Sequence, residues 1–447
     1  MRILIVSDFY PPHFVGGAEI SCLSQADQLI RRGHQLFVLT SWWGLDNPAV
    51  CDNVHRTLEY GGNAAGSQQS PNCRDHFGLR RRRSQLARAT ILRHNYKRAM
   101  DTLAATHPDV VYAWSIGGVS IGPVLAAQDQ GIATVFRLTD YWLAQLRRSV
   151  CLEPNPLKRW YRSVLCGMGS IRRLDTSHML PNSRAVLQAY VEAGFPNTSM
   201  QVVPNGIALD MVVPDDHLRV TDSSDLHRAF RLVFAGRLVP EKGADTAIRA
   251  LAYLASDLGA NNATLDIFGR GDEHYVAELK DLSASLGIAD RVVFVGQVNH
   301  AEMMARYEQY DALLLPSRWP EPFGRTIMEA WARGLPVIAA GVGGPLELLT
   351  NGETGLLVQP DDPEAMARAT LRVLCDPDLN WGIRRRALAV VRSKYSIEEI
   401  AAQVETYLSE AAAGKRKQQT ASWLTIWDTA RTVPSAPRDP RGPDNER

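Results

Sequence analysis

The chain has 447 residues, enough for two domains with separate cores, and its apolar, charged, Gly and Pro fractions are those of an ordinary soluble protein. A formal net charge of +1 argues against a nucleic-acid binder, and the six cysteines (Cys22, Cys51, Cys73, Cys151, Cys166 and Cys375) form no Cys-x-x-Cys pair and no zinc spacing with histidine, which points to a reducing compartment without a structural metal. No apolar run approaches the roughly 20 residues that span a bilayer, and residues 1–8 are too short for a signal-peptide core, so the expected location is the cytoplasm.

The chain begins with a strand over 2–7, a loop through Pro11, Pro12, Gly16 and Gly17, a helix over 18–32 stopped by Gly33, and a strand over 35–40. This βαβ unit predicts a parallel sheet. Gly16 and Gly17 carry no Cβ, so backbone N–H groups in this loop can approach a donor phosphate or an acceptor; an ordinary turn is the competing reading. Between Trp43 and Arg83 the sequence is Gly-, Asn- and Ser-rich with no period, which predicts a flexible insertion on the acceptor side. Alternation resumes with a helix over 84–105, a strand over 109–113, a helix over 119–130, a strand over 133–138, a helical stretch over 156–173, a strand over 176–180, a helix over 184–193 and a last strand over 200–206. Residues 1–207 thus read as one doubly wound domain, followed by a polar linker over 208–230.

A second alternation fills 231–395, with strands over 231–235, 264–268, 291–295, 311–315 and 336–340 and helices over 245–256, 272–286 and 301–307 between them. The run Ala312-Leu313-Leu314-Leu315 cannot continue through Pro316 to Pro322, and a helical pattern over 324–333 closes at Gly334. Glu321 stands at the mouth of that helix and Glu329 about two turns inside. A helix N-terminus offers free N–H groups and partial positive charge to an anion, while nearby carboxylates accept hydrogen bonds from vicinal hydroxyls. Phosphate and sugar can be held together there. Arg237 and Lys242 follow the strand over 231–235 and so lie at a carboxyl end, where open α/β sheets bind ligands. Two cations so placed can meet the charge that grows on a departing phosphate and stand in for a divalent metal. Gly269-Arg270-Gly271-Asp272 has two glycines of the dinucleotide fingerprint and lacks the third, so it is weak evidence for NAD.

Glu321-Pro322-Phe323-Gly324 with Glu329, joined by Gly236-Arg237 and Lys242-Gly243 upstream and by Gly341-Val342-Gly343-Gly344 and Asn351-Gly352-Glu353-Thr354-Gly355 downstream, resembles the signature of the retaining family-four glycosyltransferases. The resemblance is dense from about Arg231 to Ser409, looser from Met1 to Gly206 and absent from the tail. It implies an α/β fold of the GT-B type, two Rossmann-like domains facing across a cleft, with a helix over 396–413 crossing back to the first domain. It also implies roles: Glu329 for the ribose diol, Glu321 for hydroxyls of the transferred sugar, backbone N–H groups of Phe323 and Gly324 for the donor, and Arg237 and Lys242 for the leaving phosphate. Asp140 belongs to a motif in which the family often has His immediately before the Asp. Here that position is Thr139, so contact with the donor sugar is expected to differ.

The expected function is metal-independent transfer of a sugar, with retention, from a nucleoside-diphosphate sugar to a glycan, lipid-linked or small-molecule acceptor, with no cofactor. A catalytically silent binding subunit and a nucleotide-sugar epimerase on the same fold are the alternatives. Arg80 to Arg83 lead into an apolar stripe on the helix over 84–105, which suggests peripheral contact with an anionic membrane; a solvated, core-packed helix is the competing reading. No nucleic-acid partner is expected, because the Arg clusters lack interleaved aromatics. The tail over 414–447 reads as mostly disordered apart from Trp423-Leu424-Thr425-Ile426-Trp427.

Overall fold

The computed structural model describes residues 1–13, 16–43, 53–61, 84–164, 168–218, 229–256 and 258–414. Arg80 to Arg83, Trp423 to Trp427, most of the long insertion and residues 219–228 of the linker lie outside the described residues. In chain order the first domain has β1 (Arg2–Ser7), α1 (Gly17–Arg31), β2 (Gln35–Ser41), β3 (Val54–Leu58), α2 (Ser84–Thr106), β4 (Val110–Ala113), α3 (Gly122–Asp129), β5 (Ala133–Leu138), α4 (Trp142–Cys151), α5 (Pro156–Val164), β6 (Met179–Pro181) and α6 (Arg184–Glu192). The second has β7 (Arg231–Ala235), α7 (Ala244–Ser256), β8 (Thr264–Phe268), α8 (Glu273–Ser285), β9 (Val292–Gly296), α9 (His300–Tyr307), β10 (Ala312–Leu315), α10 (Arg325–Ala332), β11 (Val337–Ala340), α11 (Pro345–Leu348), β12 (Leu356–Val358), α12 (Pro363–Cys375), α13 (Pro377–Lys394) and α14 (Ile397–Ala413).

Both sheets are wholly parallel and share one topology. The first runs β3-β2-β1-β4-β5-β6 and the second β12-β11-β10-β7-β8-β9, so each places its first and fourth strands side by side at the centre. Central strands such as β1 and β10 are buried along almost their whole length, as unbroken apolar runs in parallel sheets must be, because helices cover both faces. Helix starts are fixed by short polar side chains: Ser183, Asp272, Asn299, Asp362, Asp376 and Ser396 each accept a backbone N–H of the first turn that would otherwise go unpaired. The architecture is GT-B, as the sequence leads one to expect.

Several local expectations need correction. Residues 200–206 form no full strand: Met200 bridges to Met179, and Gln201 and Val203 N–H donate to Met179 O and Pro181 O at 3.0 Å beside β6, but the buried Arg137 guanidinium takes the carbonyls of Val203 at 2.5 Å and Pro204 at 2.9 Å together with Asn205 Oδ1 at 2.9 Å. Pro204 has no N–H to give a ladder, and Arg137 binds the chain where a neighbouring strand would. The helical stretch over 156–173 ends as α5 and resumes as a 3₁₀ turn, Met168–Arg173. Strand β3 pairs with β2 inside the segment read as loop, and α4, α12, α13 and β12 are additional elements.

The chain passes between domains twice, and the two passages touch. Ile207 N–H donates to Tyr395 O at 2.8 Å and Ile397 N–H donates to Ile207 O at 3.0 Å. Helix α14 then lies on the first sheet, where Ile400, Val404, Leu408 and Ala411 join the core formed by Ile3, Ile5, Val38, Tyr112 and Val135. Glu405 anchors it by accepting from Arg32 and from His34 Nε2. Among the described residues no helix is long and apolar enough to cross a membrane.

Candidate functional site

In this strand order the chain winds away in opposite directions from the two central strands, leaving a crevice at their carboxyl ends. In the second domain those ends are Ala235 and Leu315, and the loops after them carry Arg237, Lys242 and Glu321. Lys242 Nζ donates to both oxygens of Glu321, at 2.6 and 2.8 Å, with side chains only 20% and 10% exposed. Arg237 is exposed, and its side chain has no hydrogen-bond partner among the described residues. The two expected cations are therefore unlike: one is already matched by a carboxylate and one is open to an incoming anion.

The two loops are tied together by a residue not among those expected from sequence. Arg318 donates to Asp245 Oδ1 at 2.8 Å, Asp245 Oδ2 at 2.7 Å and Pro240 O at 2.8 Å, while its own N–H reaches Glu241 O at 2.8 Å. Hydrogen bonding to Asp245 raises the guanidinium pKa further, so it stays charged. Close approach dictates the flanking glycines. Gly243 has φ +71°, and a Cβ there would sit 2.2 Å from Pro316 O; Gly343 has φ +70°, and its Cβ would meet Glu321 O at 2.6 Å and Glu321 N at 2.7 Å. Gly344 N–H donates to Glu321 O at 2.7 Å, so the glycine-rich segment backs the Glu321 loop.

Phe323 is buried against Tyr395, and Gly324, left-handed at φ +97°, holds the N-cap position of α10. The N–H groups of Phe323 and Gly324 donate to no group among the described residues. Glu329 is the fifth residue of α10, little more than one turn inside rather than two. Burial alone would raise its carboxyl, but Arg325 and His300 outweigh burial and hold it below the usual range. Arg325 Nε donates to Glu329 Oε1 at 2.6 Å, and His300 Nε2 lies 2.9 Å from the same oxygen. The i,i+4 spacing of Arg325 and Glu329 is legible in sequence; His300 gives no comparable signal.

Arg325 also crosses the cleft. Its Nη1 donates to Ser21 Oγ at 2.7 Å and Gly17 O at 3.1 Å. Gly16 N–H is taken at 2.9 Å by Glu19 Oε2, which caps α1. The glycine pair therefore lies at the cleft, but one of its N–H groups is engaged and the neighbouring carbonyl accepts from the opposite domain. Two further links cross beside it: Glu347 accepts Arg184 N–H at 2.8 and 2.9 Å, and Ser183 Oγ donates to Pro322 O. Glu347 thus caps a helix of the other domain.

On the first domain, Asp140 accepts from Ser115 Oγ at 2.6 Å and Trp142 N–H at 3.1 Å, and burial raises its carboxyl. Thr139 Oγ1 is buried with no partner among the described residues. Asp8, at the end of β1, accepts N–H bonds from Val119 at 2.7 Å and from Gly118 at 3.0 Å, yet burial pushes its pKa up to about 8. A carboxyl raised in the folded state binds its proton more tightly than in the unfolded chain, so its stabilising contribution is present below about pH 4 and is lost as pH rises towards 8. Asp8→Asn keeps an acceptor for the two N–H groups and removes that titration. The variant should gain melting temperature relative to the native protein as pH rises from 5 to 8, and parallel melting profiles would refute the assignment.

Among the described residues no cluster of three or more His, Cys, Asp or Glu side chains is placed to hold a metal ion. Residues 15–211 match the family model described as Glycosyltransferase Family 4, and residues 224–390 match the model of Glycosyl transferases group 1. The chain is 27% identical over 413 residues to an uncharacterized glycosyltransferase of Methanocaldococcus jannaschii, covering 90% of this chain and 96% of that protein. It is also 27% identical to a Mycobacterium tuberculosis glycogen synthase, over 94% of this chain and 97% of the synthase. Among solved structures it is similar to sucrose-phosphate synthase from Thermosynechococcus elongatus, with TM-score 0.69 and 21% identity over 92% of this chain and 100% of that one. Anabaena HepE, solved in complex with UDP and glucose, superposes with TM-score 0.64 and 22% identity over the same shares.

Proposed function

The chain is a GT-B glycosyltransferase of the family 4 and group 1 kind, and from that we propose that it moves a sugar from a nucleoside diphosphate to a hydroxyl acceptor with retention of anomeric configuration. The observation that carries this is the join of Lys242, Glu321 and the open Arg237 at the carboxyl ends of the two central strands. Charge develops on the leaving diphosphate as the glycosidic bond breaks, and preorganised cations at that place stabilise the transition state more than the ground state. Arg237 and Lys242 take the diphosphate, the N–H groups of Phe323 and Gly324 assist, Glu321 takes sugar hydroxyls and Glu329 the ribose diol.

Retention follows the family resemblance, and the occupied carboxylates favour reaching it without a covalent sugar–enzyme intermediate. Glu321 is held by Lys242, and Glu329 by Arg325 and His300, so neither is presented as a free nucleophile. The departing phosphate oxygen then takes the acceptor proton while the new bond forms on the face it leaves. The acceptor enters from the first domain, where Phe9, His13, Trp43 and Tyr60 gather their rings beyond the ends of β1 and β2.

A donor panel should begin with UDP-glucose, the ligand in one HepE structure. With an α-linked donor the product linkage should be α by NMR, and turnover should persist in chelator. A β product would rule out retention; activity lost to chelation and restored by Mg²⁺ or Mn²⁺ would rule out the two-cation mechanism.

A further inference from the structure

Helix α5 packs against α4 and the 3₁₀ turn Met168–Arg173, and its residues Pro156 to Tyr161 are all exposed. It is reached from α4 through Leu152 to Asn155, and its Arg162 donates to Ser149 O at 3.0 Å and Glu153 Oε2 at 2.7 Å. Leu157, Trp160 and Tyr161, spaced i, i+3 and i+4, lie on one face and are 77%, 58% and 36% exposed, and Leu152 before them is 54% exposed. Isolated apolar residues on a surface need no explanation, but two leucines, a tryptophan and a tyrosine left bare on one short segment do.

The charge beside them is one-sided. Residues 152–173 carry Lys158, Arg159, Arg162, Arg172 and Arg173 against the single acid Glu153, in a chain whose net charge is +1. Glu153 is paired with Arg162 and Arg173 with Asp129, whereas Lys158, Arg159 and Arg172 are exposed and have no ion pair among the described residues. A second copy seated on this face through a two-fold axis would bring like charges together. A sheet of anionic headgroups over hydrocarbon meets both features: the rings and leucines enter the boundary while the cations stay among the phosphates. We propose that α5 and the turn before it form the docking surface of this protein for an anionic membrane, distinct from the Arg80 to Arg83 stretch. Because α4 starts two residues beyond Asp140, a docked α5 would hold the first-domain side of the cleft close to the lipid surface. This inference does not depend on which sugar is transferred.

The test is flotation of the full chain with vesicles of phosphatidylcholine alone or mixed with phosphatidylglycerol, at low and high salt. The native protein should float with the mixed vesicles at low salt and bind at least tenfold more weakly to phosphatidylcholine or in high salt. Leu157→Ser/Trp160→Ser and Lys158→Glu/Arg159→Glu, all at exposed positions, should each lower binding about tenfold or more with unchanged thermal melting. The proposal is overturned if the native protein stays unbound with mixed vesicles, if both variants float like the native protein, or if the face proves to hold a dimer that Leu157→Ser/Trp160→Ser dissolves.

Discussion

Replacing Lys242 with alanine should lower kcat by about 10² to 10³, the usual effect of removing one preorganised group from a developing anion, and part of that loss should vanish in a Glu321→Ala background. The reason is the hydrogen-bonded pair. Lys242 both faces the proposed leaving phosphate and neutralises a carboxylate that is itself largely buried. Deleting the lysine alone removes a positive charge and leaves Glu321 as a bare negative one at the same place, so the two changes compound. Deleting both removes the repulsion. The pair should therefore show a coupling of the order found for side chains in contact, roughly 0.5–3 kcal/mol, whereas Arg237→Ala, which breaks no contact, should add to either. Binding of the free nucleoside diphosphate separates the roles: Lys242→Ala should weaken it, and Glu321→Ala should preserve or tighten it while still cutting transfer. Calorimetric affinities that fall equally in both single variants, or strictly additive kcat losses, would show that the pair does not work this way.

Arg325→Met should destabilise the unliganded protein by roughly 3 kcal/mol at neutral pH, the lower end of the loss on stripping one partner from a buried ion pair. Glu329 would keep only His300, and Ser21 and Gly17 would lose their link to the second domain. The pH dependence carries the sign. In the native protein the Glu329 carboxyl is held low, so its contribution is full above the unfolded carboxylate value and fades as pH falls through the lowered one. Without the guanidinium, burial dominates and raises the carboxyl, and stability is then lost as pH rises. The gap between native and variant should widen from about pH 4 to 7, and Arg325→Met/Glu329→Gln should close most of it. Urea unfolding at several pH values measures this; a pH-independent gap, or one below about 1 kcal/mol, would remove Glu329 from the explanation.

The parts of this molecule legible in sequence are those set by periodicity and punctuation. Unbroken apolar strands alternating with helices announce two parallel sheets, and the prolines and glycines between Leu315 and Gly334 locate the loop of Glu321 and the helix of Glu329. What escapes is whatever depends on contacts distant in sequence. Arg318 looks like a surface residue until Asp245 appears beside it; His300 has no motif; and residues 200–206 have strand composition but are claimed by Arg137, far earlier in the chain. The same limit explains the two cations. Spacing places Arg237 and Lys242 on one loop, but only the fold shows that one of them is already held by Glu321.

Helix α14 has a consequence for how the chain is made. The side chains that cover one face of the first sheet, Ile400, Val404 and Leu408, are among the last described residues to leave the ribosome. About two hundred residues separate the end of the first domain from this cover, and at 5–20 residues per second that is roughly 10–40 s. Throughout that interval this face has, among the described residues, only Cys22, Ala26 and Leu29 of α1 as buried helical cover, and the part of it around Tyr112 and Val135 that α14 will close stays open. The domain that emerges first is thus the one completed last, and the two adjacent passages at Ile207 and Tyr395 allow its missing wall to arrive only after the second domain has been threaded through. Order of synthesis and order of closure run in opposite directions in this chain.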